Sequence, residues 1–69
     1  MSKLYAANHI VAPDRSITNG VVEIEDGIVV RIFRLEREIP FTIWLGGTIE
    51  IRETEIGLQA FKDNKIILQ

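Results

Sequence analysis

Short apolar runs rich in β-branched residues alternate with turn dipeptides along the chain. Asn19-Gly20, Asp26-Gly27, Gly46-Gly47 and Asp63-Asn64 fall at intervals that suit an all-β domain, because Gly, Asn and Asp tolerate the backbone angles of tight reversals. Helical signals are weak.

Parity of the apolar positions then predicts the hairpins. In Val21-Val22-Glu23-Ile24-Glu25-Asp26-Gly27-Ile28-Val29-Val30-Arg31-Ile32, a two-residue Asp26-Gly27 loop would set Glu25 against Ile28 and Glu23 against Val30. A three-residue loop of Glu25, Asp26 and Gly27 instead aligns Val22, Ile24, Ile28, Val30 and Ile32 on one face. A one-residue slip turns a strand's inward set outward, so burial favours the longer loop. Phe41, Ile43 and Leu45 share a face, and Ile49 and Ile51 match them across an odd-length Gly46-Gly47 reversal. Pro40 has no N–H to donate and suits a strand start or edge. The segment Phe61-Lys62-Asp63-Asn64-Lys65-Ile66-Ile67 aligns with the first hairpin, Asn64 standing at the Gly27 position, and predicts a face shared by Leu58, Ala60, Ile66 and Leu68. Between Ile32 and Leu35 the inward parity switches. A bulge or corner near Phe33-Arg34 accounts for this, with a short helical turn over 34–39 as the rival.

These readings predict a single all-β domain over 1–69: a small antiparallel β-sandwich or pseudo-barrel of six to eight short strands. With 69 residues, the chain has room for one small core and buries only about 60% of the surface its unfolded form exposes. Cys is absent, which excludes disulfides and thiol chemistry, and the one His excludes a two-His metal motif. Without such staples, self-association is the remaining common device for a small scaffold, and a homo-oligomer, with a dimer favoured, is the expectation. A formal charge of −2 argues against a nucleic-acid partner. No run of 18 apolar residues suggests a membrane span, and Met1-Ser2-Lys3-Leu4-Tyr5 opens no secretory signal, so the cytoplasm is the expected compartment.

The stretch from Ala7 to Ile32, through Ile10, Val11, Pro13, Asp14, Asn19, Gly20, Ile24, Asp26, Gly27 and Ile28, resembles the N-terminal segment of the amidohydrolase (metal-dependent hydrolase) superfamily. There, a strand, a Pro-Asp turn, an Asn-Gly turn and an Asp-Gly hairpin build the small composite β-sandwich beside a catalytic barrel. The likeness covers about a third of this chain and implies that fold. In the family, a Pro-Gly-Phe-Ile-Asp followed by His-x-His supplies metal ligands after the hairpin. Here Ile32 leads into Phe33-Arg34-Leu35-Glu36-Arg37, so no catalytic residue carries over.

The remaining candidates are few. His9 has no nucleophile or second His at motif spacing, and a partly buried or interfacial His is the plain reading. Glu23, Glu25 and Asp26 read as a solvated face, and Arg31, Arg34 and Arg37 as cross-strand ion-pair partners of neighbouring acids. Gly46-Gly47 lacks the Lys-Ser/Thr of a phosphate-binding loop. Trp44, set among polar residues, is a candidate contact residue, or else a cover for the Gly-rich turn. Val21, Val29 and Phe33 form a second candidate contact set on the outer face of the first hairpin. The leading expectation is a noncatalytic module acting through protein contact or homo-oligomerisation, without catalytic residues, metal or cofactor. The alternatives are a small-ligand-binding β-domain with a pocket near His9, Trp44 and Arg52, or the non-catalytic half of a split amidohydrolase.

Overall fold

A computed structural model describes residues 1–67; the expectation for Leu68 lies outside the described residues. The chain is all-β. Seven strands run in order: β1 (Ser2–Ala12), β2 (Arg15–Glu25), β3 (Ile28–Arg34), β4 (Thr42–Trp44), β5 (Thr48–Thr54), β6 (Gly57–Lys62) and β7 (Lys65–Ile66). Among the described residues there is no helix, which removes the helical turn over 34–39. β1 and β2 are 11 residues each, so the strands are not uniformly short.

The strands form one mixed, open sheet in the order β3-β2-β1-β5-β6-β7, with β4 also on β1. Neighbours β1/β2, β2/β3, β5/β6 and β6/β7 are antiparallel. β4 and β5 both run parallel to β1, at Leu4–Ala6 and His9–Val11 respectively. The expected hairpin across Gly46-Gly47 therefore does not form, and the sheet is not purely antiparallel. β4 and β5 act as two pieces of one neighbour to β1, broken where Gly46 and Gly47 take φ of 72° and 59°.

The β2–β3 hairpin corrects the loop length. Glu25 pairs with Ile28, so Asp26-Gly27 is a two-residue loop, with φ of 53° and 80° as a type I′ turn requires. The extra residue lies in the strand: Ile24 faces Val29 and Glu23 faces Arg31, leaving Val30 as a bulge. That shift sends Val29 into the core and leaves Val30 exposed, the reverse of the regular alternation. The β6–β7 turn matches the β2–β3 turn as the sequence alignment suggests, with Asp63-Asn64 at φ of 54° and 65°. Its register pairs Phe61 with Ile66, so Ile66 leaves the face of Leu58 and Ala60, and Ile67 packs toward the core instead.

The expected Asn19-Gly20 turn is a kink inside β2. Pairing of β1 and β2 holds one register from Ser2↔Glu25 to Ala12↔Arg15, interrupted at Asn8 opposite Asn19 (φ 54°). Inward parity flips there in both strands together: Tyr5 and Ala7 precede it and Ile10 follows in β1, while Ile17 precedes it and Val22 and Ile24 follow in β2. The same line crosses the neighbours. The Gly47 N–H donates to Asn8 Oδ1 (2.8 Å), the His9 N–H to the Gly47 carbonyl (3.0 Å), and the Leu35 N–H to the Asn19 carbonyl (2.7 Å). Asn8 thus supplies from its side chain the acceptor that the kinked ladder lacks.

Gly20 is required at this crossing for space. A Cβ there would stand 2.5 Å from Ile10 Cγ1. Ile10, Val22, Ile24, Ile49 and Ala60 are fully buried in one cluster, and β3 and β6 touch without pairing. β3 ends at Arg34, and 35–41 is irregular, so the chain does not bend through as the parity switch at Phe33-Arg34 suggested. Phe41 is almost wholly exposed and Ile43 partly so, against their expected inward role.

Candidate functional site

The outer faces of the strands are mostly occupied by side chains that satisfy one another. The Ser2 hydroxyl donates to Glu23 Oε2 (2.6 Å) and Arg31 Nε to Glu23 Oε1 (3.0 Å). The Ser2 bond first, then Arg31, holds the Glu23 carboxyl below the ordinary carboxylate range despite the opposing effect of partial desolvation. Arg31 also stacks on the Phe33 ring, 4.6 Å from its centroid. On the other half of the sheet, Arg52 Nη2 bonds Glu50 Oε1 (2.6 Å) and Asn64 Oδ1 (3.2 Å), and its guanidinium lies 4.3 Å from the centre of Phe61. The Arg52 bond lowers the Glu50 pKa. These are paired surface groups, as expected for Arg31; among the described residues Arg34 and Arg37 form no ion pair.

The residues expected to form a ligand pocket are kept apart. Trp44 pairs with Ala6 and His9 with Thr48, while Arg52 lies two residues past Glu50, which pairs with Val11. Trp44 and Arg52 are thus seven positions apart along β1, about 23 Å at ~3.3 Å per residue. His9 and Arg52 line none of the four principal surface hollows. Among the described residues no group of three or more His, Asp or Glu could hold a metal ion.

The candidate contact set of Val21, Val29 and Phe33 also divides. Val29 is core through the Val30 bulge. Val21 pairs with Ala6 and Phe33 and is fully buried, and Leu35 and Ile39 lie beside its neighbour Ala6. Phe33 is half-buried under Arg31. None of the three offers a free apolar surface.

Trp44 does. It is 55% exposed, and its indole Nε1 lies 3.5 Å from where a Gly46 Cβ would be, so it also covers the Gly-rich break. Next to it, Ile43 is 41% and Phe41 97% exposed. Three large apolar side chains within four residues thus face solvent. Phe41 has φ of 63°, a left-handed conformation that a bulky side chain rarely adopts and that stores strain. Two hollows flank the group. One of about 400 Å³ beside Phe41 includes Lys3, Arg31 and Ile43; one of about 200 Å³ beside Trp44 includes Leu35, Glu38 and Ile39. In the wall of the second, Thr42 Oγ1 is buried with no hydrogen-bond partner among the described residues. Sequence reasoning found Trp44 but turned Phe41 and Ile43 inward, because the parity argument made β4 half of a hairpin.

In comparisons with protein-family models, with curated proteins and with solved structures, the chain matches none. Among the described residues no helix is long and apolar enough to cross a membrane.

Proposed function

We propose that this chain is a noncatalytic β-module that acts through protein contact, with Phe41, Ile43 and Trp44 as its contact ridge. The observation that carries this reading is Phe41. A residue 97% exposed gains nothing from burial within its own chain, yet it is held at a positive φ that costs about 1–2 kcal/mol. Aromatic side chains bury the largest areas at interfaces, and Trp and Tyr dominate their energetics. The polar groups of the hollow beside Phe41 support the same reading: Ser2, Glu23 and Arg31 line it, but they are engaged with one another.

The proposal extends to the architecture. Contact between unpaired β3 and β6 fits a sheet folded into two layers, a small sandwich of the kind that the resemblance to the amidohydrolase composite domain implies. A chain of that kind serves as a structural partner, in the cytoplasm on this reading.

Sedimentation across a wide concentration range tests the contact ridge. The wild-type chain should self-associate reversibly, and Phe41→Ala combined with Trp44→Ala should sediment as a monomer with an unchanged fold. A wild-type chain that stays monomeric at about millimolar concentration, where even weak contacts form, and matches the double variant would overturn the reading.

A further inference from the structure

We propose that the partner of the ridge is a second copy of this chain, joined by antiparallel pairing of β4 with β4 about a two-fold axis through Ile43. This rests on the contact reading above and gives it an occupant and a register.

The edges of the sheet are treated differently. β3 ends the sheet with a bulge at Val30 and with Arg31 and Arg34, and β7 ends it with Lys65 opposite Lys62. Charge and bulges are the devices that stop an edge from recruiting another strand. β4 pairs with β1 on one side and with no described strand on the other, and residues 39–49 contain no charge. This edge is left open to pairing.

Its hydrogen-bonding groups fix how a second strand can sit. The Leu45 N–H donates to the Ala6 carbonyl (2.8 Å), and Ile43 is in register with Tyr5. Backbone groups alternate sides along a strand, so Ile43 and Leu45 bond toward β1, and Thr42 and Trp44 turn their N–H and C=O outward. An antiparallel strand pairs best where both chains present outward groups. A second β4 does so when Thr42 meets Trp44 of the other copy, and Trp44 meets its Thr42. This register is self-complementary, as a two-fold interface requires, and sets Ile43 against itself at the centre.

Charge agrees with this direction. In the hollow beside Phe41, Arg31 is balanced by its ion pair with Glu23, which leaves the charge of Lys3, and the hollow beside Trp44 carries Glu38. Antiparallel pairing sets the Phe41 end of one copy against the Trp44 end of the other, bringing unlike charge together at both ends. Area sets the strength. With fully exposed side chains of this size offering about 150–250 Å² each, the ridge exposes on the order of 400 Å² per copy. Twice that falls below the ~1,200 Å² of a standard stable interface, so the dimer is reversible.

The absence of native Cys makes disulfide trapping a clean test. The central pair is of the close, non-hydrogen-bonded type, with Cα atoms about 4.5 Å apart, within disulfide reach. Ile43→Cys should oxidise to a covalent dimer at least about tenfold faster than Ile66→Cys, a site of similar exposure on β7, since pre-association raises the local thiol concentration. Should Ile43→Cys not fold by circular dichroism, an equimolar mixture of Thr42→Cys and Trp44→Cys gives the same reading, with the mixed disulfide expected well beyond the roughly twofold excess over either homodimer that random pairing gives. A chain that sediments as a dimer while these variants close no faster than Ile66→Cys would overturn the β4 register and leave the contact reading standing. A chain that remains monomeric would overturn both, and the edge would then be open to a foreign extended segment.

Discussion

Two regions of the sheet, the β1–β2 crossing and β4, meet different demands with the same kinds of residue. At the crossing, Asn8, Asn19 and Gly20 break regular geometry, and each irregularity is matched: Asn8 accepts from Gly47, the Asn19 carbonyl takes the Leu35 N–H, and Gly20 leaves room for Ile10. At β4 the irregularities are not matched within the chain. Phe41 is strained and exposed, Thr42 has a buried hydroxyl with no partner among the described residues, and Trp44 is half open. Irregular backbone serves packing in the first region. In the second it presents groups outward, which is what a contact surface requires.

Substitutions can break this contrast. The largest effect belongs to the crossing. Gly20→Ala drives a methyl group against Ile10 and should cost about 2–3 kcal/mol in urea unfolding; a loss below about 0.5 kcal/mol, within the range of ordinary surface substitutions, would show that the packing there is loose. At β4 the sign should reverse. Thr42→Val removes an unpartnered buried hydroxyl and should stabilise the chain by about 1 kcal/mol. Phe41→Gly relieves the left-handed strain but loosens the unfolded chain, for a net gain of about 0.5 kcal/mol. It should also weaken self-association, so stability and association move in opposite directions. A Phe41→Gly chain that is both less stable and equally associated would remove the contrast.

The smallest effect comes from the paired carboxylates. Glu23 and Glu50 have folded-state pKa values below the ordinary range. Each therefore contributes stability that is fully present above the unfolded carboxylate value of about 4.3 and is lost as pH falls through the lower folded value. Glu23→Gln and Glu50→Gln should each lower stability slightly at neutral pH and flatten the acid side of the stability–pH curve, so that each variant approaches the wild type as pH falls, as followed by thermal unfolding.

The all-β class was legible because β-branched runs and Asp-Gly or Asp-Asn dipeptides are local signals. The parity argument also detected a genuine extra residue in the first hairpin. It assigned that residue to the loop, since a sequence pattern cannot distinguish a longer loop from a two-residue turn followed by the Val30 bulge. Asn19-Gly20 was illegible for a related reason: the same dipeptide that closes a turn also makes a kink within a strand. The parallel pairing of β4 and β5 with β1 links residues about forty positions apart, and no local pattern reports it. Phe41 and Ile43 were lost from the candidate site with that pairing, while Trp44 was found because it stood out from polar neighbours.

Amide hydrogen exchange read residue by residue at several chain concentrations tests the central claim most directly. The outward N–H groups of Thr42 and Trp44 should exchange freely in dilute solution and gain protection as concentration rises, with Val30 and Lys65 at the charged edges unchanged. Exchange at Thr42 and Trp44 that does not vary with concentration, or protection that rises at β3 or β7 instead, would contradict an open β4 edge that pairs with its own kind.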